Sequence, residues 1–376
     1  MNFNLKKTPL AAFAASLALS ISLNAQSTPA PTDSFRIEEP IRVTNQDRQA
    51  RLLVGMQGTS VIFQFAGMDD AEASIPIDPD SKLKFTYPYP DNFGNIQSNI
   101  LNGNYRSALR ALPDELNTLL RFLAIPEANC NFHLITELYY RSLAYVGKPQ
   151  DALEATAAIP WQSPYLPTDF MQHAATILNR MVDEKEVEVS EKLLAIFQDN
   201  LPVEQFADLA LPIADKLRQL GENEMVQSIY DALMQSSDES MRRLGTIWTA
   251  YNYANTGRID QAKKLLAGLG ELTEEDPFFG IYCLAQGRLA LSEKNSVQAL
   301  RFLSRAMVRT SIADSFKPEI YFLMIQSYMM DENKVPAKRL AKEMAVFYPN
   351  NMWHKSVTER FPKMDVEIEV DDELTL

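Results

Sequence analysis

The sequence predicts a mainly α-helical protein, in which a small antiparallel β domain precedes about seven helical hairpins. Three observations favour this fold class. Short β-type runs stop near residue 90, and apolar residues then follow helical spacing for about 270 residues. A turn sequence recurs along this helical region. Glycine is scarce, at 13 of 376 residues, which disfavours both glycine-rich phosphate loops and a large sheet built on tight hairpins.

Composition and charge exclude some classes of function. Hydrophobic residues make up 46% of the chain and charged residues 23%, as in folded soluble proteins. The formal net charge is −13, and this sign disfavours a nucleic-acid partner, whose phosphates attract basic surfaces. A length of 376 residues allows two or three structural units.

Residues 1–25 are typical of a signal peptide. Lys6 and Lys7 precede an apolar stretch at residues 10–23, and we expect cleavage after Ala25. No later segment has the roughly 18 uninterrupted apolar residues of a spanning helix, so we expect no membrane span in the mature chain. The sequence therefore predicts an exported protein, periplasmic or secreted. Residues 26–47 are polar and proline-bearing and are interpreted as a flexible leader.

Residues 48–90 are predicted to form the small β domain. Turn chemistries containing Gly, Asp and Pro separate its runs, and Tyr87-Pro88-Tyr89-Pro90 closes it. Apolar residues occupy both faces of the run that contains Phe63, so one face is expected to pack within the domain and the other against the first helices. We find no residues there that suggest a ligand site. The predicted strands are residues 51–54, 59–65, 71–77 and 83–86.

The helical region, residues 91–362, contains an internal repeat. The segment from Gly103 to Leu109 matches residues 147–153, and residues 257–262 repeat the glycine with an alanine five residues later. The glycine is expected to end one helix in the left-handed conformation, and the alanine to let the next helix pack closely. The equivalent post-turn residues are Ala108, Ala152, Val226, Ala262, Ala299 and Ala337. The step of 74 from Ala152 to Val226 indicates an additional unit, with helices near residues 172–181 and 184–197.

These residues resemble the tetratricopeptide repeat, a helix-turn-helix unit of roughly 34 residues. Tyr253 and Tyr328 lie nine residues before the post-turn alanine, as the family's tyrosine does, and Gly287 occupies its small position. Pro164 and Pro349 stand where the family usually ends a repeat, whereas Lys294 and Glu332 replace the turn glycine. The resemblance covers residues 91–350 and implies an α-solenoid, an architecture that other helical-hairpin repeats would share.

The resemblance also implies a concave groove lined by the first helix of each hairpin. The side chains that it places there mix charged, amide and aromatic groups, which suits a protein or peptide partner. Aromatic residues at helical spacing are also typical of a core, and for Trp248 both placements stay open. The groove candidates are Glu137, Arg141, Tyr145, Asp215, Arg218, Gln219, Trp248, Tyr251, Asn255, Arg288, Ser292, Phe322, Gln326 and Met330.

No sequence motif indicates a catalytic, cofactor or metal site. The chain has three histidines, His133, His173 and His354, and none begins a recognised motif. His133, Glu137 and Arg141 share one helix face, which we interpret as a surface Glu-Arg ion pair beside a histidine; a metal or acid-base site is the alternative. We therefore predict that the protein is not an enzyme and has no cofactor.

The two cysteines and the last residues complete the prediction. Cys130 and Cys283 lie several repeats apart, so we expect two buried free thiols; a disulfide is the alternative in an oxidising compartment. Residues 363–376 carry six acidic side chains and are interpreted as a solvated acidic tail.

The predicted function is that of an exported scaffold without catalytic activity. It would hold a protein or peptide in its groove, in cell-envelope assembly or transport. The main alternative is a structural subunit of an envelope complex, and less favoured ones are an envelope enzyme or a glycan-binding protein.

Overall fold

The computed structural model describes residues 34–45, 48–67 and 71–362. The predicted signal peptide, the first part of the predicted leader and the predicted acidic tail lie outside the described residues. The described part is mainly helical, with 16 α-helices and a four-stranded antiparallel sheet near the N-terminus. No helix in these ranges is both long enough and apolar enough to cross a membrane.

The sheet is a meander in which each strand pairs with the next in antiparallel fashion. Its strands are β1 (Phe35–Thr44), β2 (Ala50–Gln57), β3 (Ser60–Phe65) and β4 (Glu72–Pro76). On one face, Leu53, Val61 and Phe63 join a core cluster with Ile96 and Phe122 of the helical region, and Val54 and Ile62 are buried as well. The sheet and the first helices therefore share one core.

Strand β1 corrects the predicted leader. Residues 26–47 were expected to be a flexible leader, but Ile41 and Val43 are buried, and residues 35, 36 and 41–44 pair with β2. The pairing register shifts between Arg36 and Ile41. The intervening Glu38-Glu39-Pro40 interrupts the apolar alternation, so residues 35–44 lack the period-two pattern that predicts a strand.

The run at residues 83–86 is not a strand of the sheet. Phe85 and Thr86 form isolated bridges, to Cys130 and Thr44 respectively. The Asn129 side-chain amide donates to the carbonyl oxygens of Ser81 and Leu83, at 2.9 and 3.0 Å. The Asn129 side chain thus forms hydrogen bonds with backbone carbonyl oxygens that would otherwise be available to pair with a neighbouring strand.

The helices follow residue 92. Two short 3₁₀ segments, Leu120–Phe122 and Glu127–Asn129, interrupt them. The α-helices are α1 (Phe93–Leu101), α2 (Tyr105–Ala111), α3 (Leu116–Leu119), α4 (Phe132–Val146), α5 (Pro149–Ala158), α6 (Asp169–Asp183), α7 (Val187–Asn200), α8 (Val203–Leu220), α9 (Asn223–Met234), α10 (Glu239–Asn255), α11 (Ile259–Leu269), α12 (Phe279–Ser292), α13 (Ser296–Arg309), α14 (Lys317–Met330), α15 (Lys334–Phe347) and α16 (Met352–Arg360).

Within the described residues, fourteen of these helices form seven hairpins, each made of two successive helices that pack together. The pairs are α1/α2, α4/α5, α6/α7, α8/α9, α10/α11, α12/α13 and α14/α15. The additional unit expected between Ala152 and Val226 is confirmed as α6/α7. First helices of neighbouring hairpins also touch, as α4 touches α6 and α10 touches α12.

Each second helix buries its fourth residue. All six predicted post-turn residues, from Ala108 to Ala337, are 0% exposed, and Ser190 takes this place in α7 at 1% exposure. Gly287 on α12 shows how closely the helices of one hairpin approach, because an added Cβ would lie 2.6 Å from the Leu303 Cγ on α13.

The turn five residues before that position has one geometry in six of the seven hairpins. Its residue has a φ between 56° and 82°, including where Lys or Glu replaces glycine, and the next N–H donates to a carbonyl five residues earlier. Gly147 differs, with a φ of −66°, and in this hairpin Pro149 begins the next helix two residues later. The left-handed residues are Gly103, Lys185, Gly221, Gly257, Lys294 and Glu332.

Candidate functional site

The groove candidates lie on α4, α8, α10, α12 and α14, the first helices of five hairpins. The structure separates most of them into three groups. One group is buried around Arg218, another lies on α4, and the third lies on α12 and α14.

Arg218 on α8 is the centre of a buried polar cluster. Its Nη2 lies 2.5 Å from Asp215 Oδ1 and 3.1 Å from Glu319 Oε2, and its Nη1 donates to the Tyr230 hydroxyl at 2.7 Å. The side chains of Arg218 and Glu319 are 3% and 1% exposed. Glu319 belongs to the first turn of α14, so this ion pair joins the fourth hairpin to the seventh, 101 residues apart.

Aromatic side chains enclose this cluster. The Arg218 guanidinium carbon lies 4.0 Å from the centroid of the Trp248 ring, and the Tyr251 hydroxyl donates to the Glu319 carboxylate. Phe316, which precedes α14, packs edge-on against Trp248, and the neighbouring Ser315 hydroxyl donates to Asp215. The start of α14 and the segment before it therefore cover α8 and α10.

The electrostatics of the cluster keep Arg218 charged. Burial alone would lower the pKa of its guanidinium, but the nearby anionic groups, Asp215 foremost, raise that pKa well above its ordinary value. Burial also raises the pKa values of the Tyr230 and Tyr251 hydroxyls. Both hydroxyls thus stay protonated and can take part in hydrogen bonds as neutral groups.

This arrangement corrects several groove candidates. Trp248 and Tyr251 are 5% and 2% exposed, and Phe322 is 6% exposed and packs on Trp353. Arg218 was expected to line the groove, but it pairs with two carboxylates of its own chain, Asp215 and Glu319. Arg218, Trp248 and Tyr251 lie between α8, α10 and α14, and Phe322 packs toward α16, so these side chains belong to the protein interior and not to an open groove.

The α4 group makes contacts within the chain. Glu137 accepts a hydrogen bond from His173 Nε2 of α6 at 2.7 Å, so the expected Glu137–Arg141 surface pair is wrong. The packing of α4 on α6 brings His173 to the carboxylate. The Arg141 guanidinium carbon lies 6.0 Å from the Tyr105 ring centroid, and Tyr145, which is 46% exposed, stacks on that ring.

His133 is also interior, although it was expected beside a surface ion pair. It is 4% exposed, and its Nε2 lies 2.8 Å from the Ile125 carbonyl oxygen. Burial lowers the pKa of this imidazole. The neutral ring donates Nε2–H to the carbonyl, which gives His133 a structural role.

The third group, on α12 and α14, keeps unsatisfied polar atoms. Arg288 and Gln326 each lie eleven residues before a buried alanine, so they are equivalent positions of consecutive hairpins. Neither Arg288 Nε nor Gln326 Oε1 has a hydrogen-bond partner within the described residues, although both atoms are buried. Ser292 donates to the Ala254 carbonyl oxygen at 2.7 Å, and Met330 is 40% exposed. Two further candidates are partly buried, Gln219 on α8 and Asn255 on α10.

Sequence reasoning missed two residues on α6 and the buried Glu319. Asn179 and Asp183 of α6 both accept hydrogen bonds from Lys216, at 2.8 and 2.6 Å. Arg141 and Tyr145 lie eleven and seven residues before the post-turn residue Ala152. The same two offsets from Ser190, the post-turn residue of α7, identify Asn179 and Asp183. No comparable signal marks Glu319, because an acidic residue in the first turn of a helix is usually solvent-exposed.

Two further observations concern chemistry and relatives. Cys130 and Cys283 are buried and free, in two different core clusters. In the ranges that the structure describes, no group of three or more His, Cys, Asp or Glu side chains is placed to hold a metal ion.

No protein-family model matches this chain. No curated protein matches it either.

Proposed function

We propose that the chain is an exported scaffold without catalytic activity, and that its helices form a tetratricopeptide-like α-solenoid that holds a protein or peptide partner. The turn geometry shared by six hairpins, the buried fourth residue of each second helix and the contacts between first helices support the solenoid. The signal-peptide pattern of residues 1–25 supports export. A place in cell-envelope assembly or transport would follow from that location.

The observation that carries the binding proposal is the pair of unsatisfied atoms on α12 and α14. A buried donor or acceptor without a partner destabilises a protein by about 1–3 kcal/mol. Arg288 Nε offers a donor and Gln326 Oε1 an acceptor, at equivalent positions of neighbouring hairpins. A peptide backbone presents carbonyl and N–H groups in regular alternation and could satisfy both.

The side chains around these atoms suit the same ligand. Met330 is unbranched, adaptable and exposed, so it can contact an apolar side chain of the partner. The Arg288 guanidinium can also form a charge-assisted bond with a carboxylate. The proposed site is therefore narrower than the groove expected from the sequence, because the cluster around Arg218 occupies the space beside α8 and α10.

In-cell photo-crosslinking tests this proposal. A photo-reactive residue at Met330 should capture one envelope protein, and Arg288→Ala should lower that yield by about tenfold if one charge-assisted bond is lost. The control for position carries the photo-reactive residue at the exposed Lys192 on α7 in place of Met330. The control for the substitution is Lys192→Ala, with the photo-reactive residue at Met330. Equal capture at both positions, or no effect of Arg288→Ala, would refute the proposed site.

A structural subunit of an envelope complex remains the second proposal. The shared helical-hairpin architecture supports it equally, since such surfaces also assemble complexes. Sedimentation of the purified chain with the captured protein distinguishes the two proposals. A permanent stoichiometric complex favours the subunit, whereas reversible binding that depends on Arg288 favours the scaffold.

A further inference from the structure

The second helices of the last two hairpins are basic, in a chain whose formal net charge is −13. Together α13 and α15 carry seven Lys or Arg residues and a single acidic residue, Glu343. Of these cations, Arg309 is the one that forms an ion pair within residues 34–45, 48–67 and 71–362. The other six are exposed and are named the basic face: Arg301, Arg305, Lys334, Lys338, Arg339 and Lys342.

Aliphatic side chains are exposed on the same two helices. Val297 and Val308 on α13 and Val335 and Val346 on α15 are each at least 60% exposed. Among the second helices of earlier hairpins, α5, α7 and α9 each carry more acidic than basic residues, and α2 and α11 carry only two basic residues each. Cations and exposed valines thus occur together at one end of the chain, a combination typical of a contact surface.

The chain contains a segment with the complementary chemistry. Residues 363–376 follow the last described residue and hold six acidic residues and one lysine. Aliphatic residues alternate with the acids at Val366, Ile368 and Val370. This segment therefore offers carboxylates for the cations and aliphatic side chains for the valines.

The position of this segment allows it to reach the basic face. Helix α16 ends at Arg360 and packs against both α14 and α15. Fourteen extended residues span up to about 50 Å, at roughly 3.3–3.6 Å per residue. Helix α15 is about 21 Å long, at about 1.5 Å per residue. The segment is long enough to cross α15 and reach α13.

We propose that residues 363–376 dock in cis on the basic face and cover it. Linkage to α16 keeps the segment at a high effective concentration, about millimolar for short flexible linkers. Many weak contacts between carboxylates and cations can then hold it, although each exposed pair alone is weak. The proposal is independent of the binding site on α12 and α14, because it uses different helices.

Photo-crosslinking of the full chain tests the docking. A photo-reactive residue at Val335 should form crosslinks to residues 363–376 within one monomer. A tail variant that replaces all six acids by amides should lower this yield by about fivefold or more, as should 0.5 M NaCl, which screens exposed charges. The double variant Lys338→Glu with Lys342→Glu should lower the crosslinking yield equally, because it removes cations of the basic face instead of carboxylates of the tail. The control position is Val187 on α7, which is 40% exposed and lies on an acidic helix.

Four outcomes would overturn the proposal. The first is the absence of crosslinks from position 335 to the tail, and the second is an unchanged yield in both charge variants. The third is crosslinking between two copies that grows with concentration, which would identify a second molecule as the occupant. The fourth is sedimentation of the tail variant with phosphatidylglycerol vesicles to an extent that the unmodified chain equals, which would show that the tail does not cover the face.

Discussion

The substitution Arg218→Met should destabilise the protein strongly. It leaves the Glu319 carboxylate, 1% exposed, with a hydrogen bond from Tyr251 but without its cation. Asp215 loses the same cation, while its bond from Ser315 remains. Removing one member of a buried ion pair costs about 3–5 kcal/mol, and burial this complete leaves little room for solvent screening. We therefore expect a loss in that range.

Urea unfolding measures this loss. With a slope of about 3 kcal/mol per molar, at the upper end for small proteins, the midpoint should fall by about 1–2 M. Lys192→Met is the control, because its ion pair with Glu188 is exposed and contributes little to stability. The double variant Arg218→Met with Glu319→Leu should recover part of the loss, because it removes a buried charge as well.

Two results would refute this reasoning. If Arg218→Met moves the midpoint no further than Lys192→Met does, the guanidinium is not desolvated in solution. If the double variant is less stable than Arg218→Met alone, Glu319 is not the uncompensated charge. Small-angle scattering adds an independent check, since loss of the link between α8 and α14 should increase the radius of gyration.

Three further predictions concern turns, thiols and pH. Lys294→Gly should stabilise the chain by about 1 kcal/mol in thermal unfolding, since it relieves a left-handed non-glycine residue with a φ of 62°, whereas Gly257→Ala should destabilise it by about 1–2 kcal/mol; equal effects would contradict the shared geometry. Burial raises the pKa of Cys130 to about 12 and that of Cys283 to about 11, so neither thiol should react with Ellman's reagent at pH 8 until the protein unfolds. Burial lowers the pKa of His133, so below about pH 6.5 the unfolded chain binds more protons and stability falls as the pH falls; urea titrations at several pH values should show a smaller acid loss in His133→Gln.

The hairpins could be predicted because their signal is local. A turn five residues before a buried small residue depends on neighbouring positions, so it survives when Lys294 or Glu332 replaces glycine. The same count would have located Ser190 in the unit that lacked an obvious glycine. Helix positions and the buried post-turn residues therefore follow from the sequence.

The buried cluster could not be predicted because its contacts are distant. Whether Trp248 faces a groove or a core depends on α14, which begins 69 residues later. The sequence pattern on α10 alone is compatible with either placement. Strand β1 was missed for a different reason, since Pro40 and two acidic residues interrupt its alternation.

The pair formed by Arg218 and Glu319 also sets an order of events during synthesis. Hairpins can fold from contacts with their neighbours, whereas this pair waits for 101 further residues. At about 5–20 residues per second the wait is about 5–20 s, during which Trp248 and Tyr251 lack the helix that later covers them. A chain truncated before α14 would thus have formed hairpins and an exposed aromatic surface, and would be a substrate for chaperones and proteases.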